Sequence, residues 1–175
     1  MFSAIFLDRD GVINKKLDND YVKCWEEFEF LTRVPEAIAF LRKHCKYLFI
    51  VTNQRGIAKQ LMTVKDLEKV NGNMLHALRE KGADIDRVYF CPEDEGSYCR
   101  KLNIGMAMQA KADFPDIDFN SSLMIGDSIS DLEFGKNLEM KCVWISSKLD
   151  DKGLRLSDYQ CANLIDLKGW IGDLQ

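Results

Sequence analysis

Short apolar runs recur along this chain, and each stops abruptly at polar residues: SAIFL at 3–7, YLFIV at 47–51, RVYF at 87–90, SLMI at 122–125 and KCVWI at 141–145. Each is of strand length, and YLFIV lacks the apolar–polar alternation of a half-solvated strand, so it is expected to be buried on both faces. Helical patterns lie between the runs. VPEAIAFLRKHC sets Val34, Ala37, Ile38 and Leu41 at helical spacing, with Pro35 suited to a first turn. Thr63 can cap a helix whose apolar stripe is Val64, Leu67, Val70, Met74 and Leu78, with Asp66 where a capping-box carboxylate belongs. Residues 104–112 and a segment from about 129 also read as helices, and the tail NLIDLKGWIGDL reads as a short extended piece and a closing helix. Strands alternating with helices predict an α/β fold of three layers, Rossmann-like, around a central, mostly parallel sheet. A chain of 175 residues without repeats or linker-like segments fits one domain, 1–175.

In such a sheet ligands bind beyond the carboxyl ends of the strands, so the residues after each run carry the functional information. After the first run come Asp8, Arg9, Asp10 and Gly11; after the second, TNQRG from Thr52 to Gly56; after the third, CPEDEGSYCRK, ending in Arg100 and Lys101; after the fourth, GDSISD with Asp127 and Asp131. A single polar loop means only a solvated loop. Four of them on one rim, carrying carboxylates, a hydroxyl, amides and a lysine, point to a common site.

These groups suit phosphoryl transfer. Asp8 and Asp127, with a backbone carbonyl, offer hard oxygen ligands for Mg²⁺, and the cation would neutralise the crowded carboxylates. Thr52 and Lys101 can donate to phosphate oxygens, with backbone N–H groups around Arg9 and Asn53 as further donors. One carboxylate can attack phosphorus to give an aspartyl-phosphate. A second, kept protonated, can give its proton to the leaving alcohol and later take one from water.

Composition narrows the partners. Apolar residues make up 46% and charged residues 30%, with a net charge of −4. No basic run suggests nucleic acid, no segment is long or apolar enough for a signal peptide or a membrane span, and a monomer is expected. The six cysteines, at 24, 45, 91, 99, 142 and 161, are scattered. They do not resemble a disulfide framework, and a reducing cytoplasm is the simpler home. Cys45, Cys142 and Trp144 are expected in the core, and His44 and His76 on helices away from the rim.

The ordered set DxD, TN, lysine and GDxxxD resembles the haloacid dehalogenase superfamily of phosphohydrolases and spans Asp8 to Asp131. More narrowly, FLDRDGVIN, FEFL, VTNQRGIA, YFCP, CRK..IGM and MIGDS resemble the group of heptose-bisphosphate and histidinol-phosphate phosphatases. The resemblance implies Asp8 as nucleophile and Asp10 as general acid/base. It implies Mg²⁺ held by Asp8, the Asp10 carbonyl and Asp127, with the phosphoryl group bound by Thr52 and Lys101. Asn53, Gln54, Arg55 and Arg100 fall on its substrate-contact positions, Tyr21 in the loop after the DxD is a further candidate, and Asp131 would orient a metal water or Lys101. The implied substrate is a small phosphorylated metabolite such as D-glycero-D-manno-heptose 1,7-bisphosphate, losing its 7-phosphate. Histidinol phosphate is the alternative.

The chain departs from that pattern in places. Ser128 stands where the heptose enzymes usually carry a lysine, and Leu102 and Ile104 replace two prolines after CRK. Relatives often hold the loop after the third strand with a structural zinc. Here only Cys91 and Cys99 remain of that set, with Glu93 and Ser97 at the other two positions, so no zinc is expected. A Cys91–Cys99 disulfide is geometrically feasible but disfavoured in a reducing compartment. The stretches where the superfamily inserts a cap domain are filled by single elements, which predicts a capless site shaped by loops 14–30 and 91–103. A polynucleotide 3′-phosphatase has a similar motif set but needs a basic track. A phospho-receiver domain would carry its aspartate after the third strand, and an inactive binding module would have lost Asp8, Asp10 or Lys101.

Overall fold

The computed structural model describes residues 1–173. One sheet is built from β1 (Phe2–Leu7), β2 (Cys45–Asn53), β3 (Arg87–Cys91), β4 (Leu123–Gly126), β5 (Lys141–Ile145) and β6 (Tyr159–Cys161). The helices are α1 (Val34–Arg42), α2 (Arg55–Ala58), α3 (Val64–Arg79), α4 (Gly105–Asp113), α5 (Ile129–Lys136), α6 (Asp151–Leu156) and α7 (Leu167–Asp173). The strand order is β3-β2-β1-β4-β5-β6 and every pairing is parallel.

The central strand explains the layering. Ala4, Ile5, Phe6 and Leu7 of β1 are all fully buried, so both faces of the strand need an apolar cover. Ile5 and Leu7 pack with Ile38 and Leu41 of α1, Met74 and Leu78 of α3, and Leu167 and Ile171 of α7. Phe6 faces the other way, toward Phe49, Met106 and Ala110 of α4, and Leu132 and Phe134 of α5. Its ring lies 5.3 Å from that of Phe49. The Thr63–Asp66 capping box is formed, and Pro35 sits in the first turn of α1. Cys45, Cys142 and Trp144 are buried as expected.

Three elements escaped the sequence reading. α2 and α6 have four and six residues, each with a glycine, too few turns to set a periodicity. β6 is three residues at the sheet edge, and it ends before the tail segment read as extended, where Leu164–Asp166 forms a 3₁₀ turn instead. Leu174, included in the expected closing helix, lies outside the described residues.

The cysteine reading needs correction. Cys91 and Cys99 form a disulfide, with Cα atoms 5.4 Å apart, whereas Cys24, Cys45, Cys142 and Cys161 are free. The cause is a tight reversal after β3: Ser97 N–H donates to Asp94 O, and Arg100 N–H to Ser97 O. That turn brings the two Cα atoms inside the range a disulfide spans. Ser97 Oγ also lies 3.1 Å from Cys99 Sγ.

Candidate active site

The strand order reverses between β1 and β4, and the crevice beyond their carboxyl ends is where a doubly wound sheet binds ligands. Asp8 leaves β1 and Asp127 leaves β4 at that point. A cleft of ≈ 240 Å³ there is lined by Asp8, Asp10, Thr52, Lys101, Asp127 and Asp131. Tyr21, Asn53, Arg55 and Arg100 lie on its walls.

At its base is a buried ion triad. Lys101 Nζ donates to Asp8 Oδ1 at 2.6 Å and to Val51 O at 2.7 Å, and lies 2.7 Å from Asp131 Oδ1. Removing Lys101 would leave two carboxylates buried and uncompensated. Burial, only partly opposed by Lys101, and then the neighbouring Asp131, Asp127 and Asp10 push the Asp8 carboxyl up to about 7. Lys101 is held above its usual range because Asp131 and Asp8 outweigh the desolvation that opposes its charge. Asp131 also closes the capping box of α5, accepting from Ser128 N–H at 3.0 Å and Ser128 Oγ at 2.7 Å. Gly126 lets that turn approach, since a Cβ there would stand 2.1 Å from the Asp131 Cβ.

Asp10 is arranged differently from the protonated acid anticipated above. Every partner is a donor: Arg9 Nε and Nη2, Asn14 Nδ2 and Gln54 Nε2, at 2.9–3.2 Å. Burial works against its charge, but the Arg9 guanidinium and these hydrogen bonds win and hold the carboxyl below its usual range. In this arrangement Asp10 is a carboxylate.

Asp8, Asp127 and Asp131 each offer a carboxylate oxygen within 4.8 Å of the others. Asp127 Oδ1 is buried without a hydrogen-bond partner. Burial and Asp131 raise its pKa, and Lys16 opposes them. Gly11, at φ +100°, brings the backbone so close that a Cβ would meet Asp127 Oδ2 at 2.4 Å. Hard oxygens, an orphaned acceptor and unbalanced negative charge fit a small divalent cation.

Comparison with known proteins decides the family. Residues 4–168 match the model of the polynucleotide kinase 3 phosphatase family. The chain belongs to that family. It is 41% identical to a D-glycero-α-D-manno-heptose-1,7-bisphosphate 7-phosphatase of Campylobacter jejuni, over 78% of each chain. It is 33% identical to a D-glycero-β-D-manno-heptose-1,7-bisphosphate 7-phosphatase of Pasteurella multocida across the whole of both chains. Among solved structures it resembles the D,D-heptose 1,7-bisphosphate phosphatase of B. bronchiseptica complexed with magnesium and phosphate, with a TM-score of 0.85 and 27% identity over 99% of each chain. The protein is therefore a phosphatase of the haloacid dehalogenase type.

The remaining candidates in this phosphatase divide between wall and scaffold. Asn53 Nδ2 donates to Lys101 O at 3.0 Å and Asn53 Oδ1 accepts from Lys101 N–H at 2.9 Å, so Asn53 pins the backbone that carries the lysine. Gln54 is fully buried behind the cleft, not on its surface, and its Nε2 bridges Asp10 Oδ2 and Thr52 Oγ1, both at 2.9 Å. Arg55 reaches across to Asp94 and Glu95 of the disulfide loop, at 2.5 and 3.0 Å. Arg100 Nη1 is buried without a partner, and Tyr21 packs over Gly56, whose absent Cβ would clash with the ring at 2.9 Å.

Three site residues of this phosphatase escaped the sequence reading as side chains: Arg9, Asn14, whose Nδ2 donates to Asp10, and Lys16. Arg9, fully buried, braces Asp10 and reaches Asn71 Oδ1 of α3 at 3.1 Å. An arginine just after a buried apolar strand, between two aspartates, was the available signal, because a buried guanidinium demands a carboxylate. Lys16 lies 2.8 Å from Asp127 Oδ2 across 111 residues of sequence, and no local pattern announces it.

Proposed function

We propose that this phosphatase hydrolyses a sugar bisphosphate, D-glycero-D-manno-heptose 1,7-bisphosphate, at its 7-phosphate. The observation that carries the reading is the Asp8–Lys101–Asp131 triad at the base of an open cleft, in a chain whose relatives carry that activity in their names. Asp8 is the nucleophile: its free carboxylate oxygen attacks phosphorus and the ester oxygen leaves. Lys101 neutralises Asp8 in the resting site and donates to the phosphoryl oxygens as charge builds on them, together with the Thr52 hydroxyl. Asp10 carries the proton. The arriving phosphoryl group adds negative charge beside it and raises its proton affinity. It then protonates the leaving alcohol and afterwards takes a proton from the water that hydrolyses the aspartyl-phosphate. Mg²⁺, held by Asp8, the Asp10 carbonyl and Asp127, supplies charge neutralisation when bound. Arg9, Asn14 and Gln54 orient Asp10, and Asp131 orients Lys101.

Arg100, with an unpaired buried nitrogen, and Tyr21 contact the sugar part, and no separate cap encloses it. The enzyme is read as a monomer free of structural zinc; no helix among the described residues is long and apolar enough to cross a membrane. The family description raises a polynucleotide 3′-phosphate as the rival substrate, but a net charge of −4 without a basic track opposes it. A panel of phosphate esters with Mg²⁺ tests the assignment. It should hold both anomers of the heptose bisphosphate, histidinol phosphate and a 3′-phosphorylated oligonucleotide. The highest kcat/KM is expected on a heptose bisphosphate, and preference for the oligonucleotide would overturn it.

A further inference from the structure

Four cations line the cleft: Lys16, Arg55, Arg100 and Lys101. Lys101 is buried and engages Asp8, Val51 O and Asp131. Arg55 is tied to the acids of the disulfide loop, and Arg100 is part-buried in the wall with its Nη1 unpaired, already placed against the sugar part. Lys16 is different. Its side chain is 55% exposed, it stands at the mouth, and its one hydrogen-bond partner among the described residues is Asp127 Oδ2, at 2.8 Å. Asp127 belongs to the three-carboxylate cluster that fits a divalent cation, and its other oxygen is buried and unpaired. Lys16 thus places its ammonium on an oxygen that a divalent cation would also claim.

The loop makes an exchange feasible. Lys15 N–H donates to Glu29 O, and Asn14 is buried and donates to Asp10, so the backbone beside Lys16 is anchored. The four-carbon stem and the ammonium are free to move without it. A doubly charged ion on the Asp127 carboxylate outcompetes and repels a single ammonium. Lys16 is then released toward the cleft mouth, where the other carboxylate on the wall, Asp20, is already paired with Lys23. A substrate with its reacting phosphate on Asp8 extends its remainder toward that mouth.

We propose that Lys16 is a specificity residue of this site: an ammonium that rests on Asp127 until a divalent cation takes that carboxylate, and then binds the substrate's second anionic group. This rests on the bisphosphate reading above for the identity of that group, but not for the exchange itself. A fixed surface ion pair would be the alternative, and it predicts neither of the effects below.

The test uses Lys16→Met and Lys16→Arg. Isothermal calorimetry with MgCl₂ alone should find Mg²⁺ bound about fivefold more tightly by Lys16→Met than by the wild type, since the competing charge is gone. The ratio of kcat/KM for the heptose 1,7-bisphosphate to that for the heptose 7-phosphate should fall roughly tenfold in Lys16→Met, as expected for losing one charge-assisted contact, and recover in Lys16→Arg. Unchanged or weaker Mg²⁺ binding, or a ratio within about twofold of wild type, overturns the proposal. If the wild type turns over neither heptose ester, the bisphosphate reading falls, and calorimetry alone decides the exchange.

Discussion

Asp8 carries its charge under opposition from burial and three other carboxylates, with Lys101 as the counterweight, and its carboxyl is pushed up to about 7. The value in the unfolded chain is the ordinary one, about 3.9. The folded protein therefore holds this proton more tightly than the unfolded chain does. That contribution is complete below about pH 4 and is lost as pH rises through about 7. Above that, a divalent cation held by Asp8 would do what the proton did. The gain in Tm on adding MgCl₂ should accordingly grow from pH 5 to pH 8 in thermal melts, and equal gains at both would refute the placement of the cation beside Asp8. Asp8→Asn should abolish turnover and leave no phospho-enzyme in acid-quenched samples analysed by mass spectrometry. Asp10→Asn should slow turnover by about 10²–10⁴-fold, the usual loss for a general acid/base. Near-normal turnover by Asp8→Asn would exclude the aspartyl-phosphate route.

The loops and helix starts that deliver these residues work only at close range. β4 leads into α5 through Gly126, and a Cβ there would collide with Asp131 in the first turn of α5. Gly126→Ala should cost about 1–3 kcal/mol in urea unfolding, as overpacking does, and should lower kcat as well because Asp131 can no longer reach Lys101. A stable but inactive variant would separate those effects. The disulfide works on the opposite wall. It closes the loop from β3 to the segment bearing Arg100 and Lys101, with a sequence separation of 8. Loop-closure entropy for so short a loop is worth about 2–3 kcal/mol. The urea unfolding free energy of the wild type should drop by that amount with reductant present, whereas Cys91→Ser should show no effect of reductant. Elemental analysis of protein purified without chelator should find no stoichiometric zinc, because the two remaining thiolates are consumed by the bond.

Across the whole molecule, acidic balance and an open cleft at the sheet's switch point fit a small anion held by a few local cations. Its kcat/KM should change less than about threefold between roughly 50 and 200 mM salt, whereas a protein tracking many phosphates loses on the order of 10³–10⁵ in affinity. A steep salt dependence in steady-state assays would return the polynucleotide to the lead. The chain's local patterns already contained much of this. Apolar runs predicted five of the six strands within a few residues, the Thr63–Asp66 box was readable, and the four strand-end clusters named the residues that meet in the cleft. These are properties of neighbours in sequence, where side-chain periodicity and turn chemistry act. The order β3-β2-β1-β4-β5-β6, the bracing of Asp10 by Gln54, and the meeting of Lys16 with Asp127 were not readable. Each depends on which distant segments are brought face to face and what charge each finds there, and only the packing of the sheet and its loops decides that.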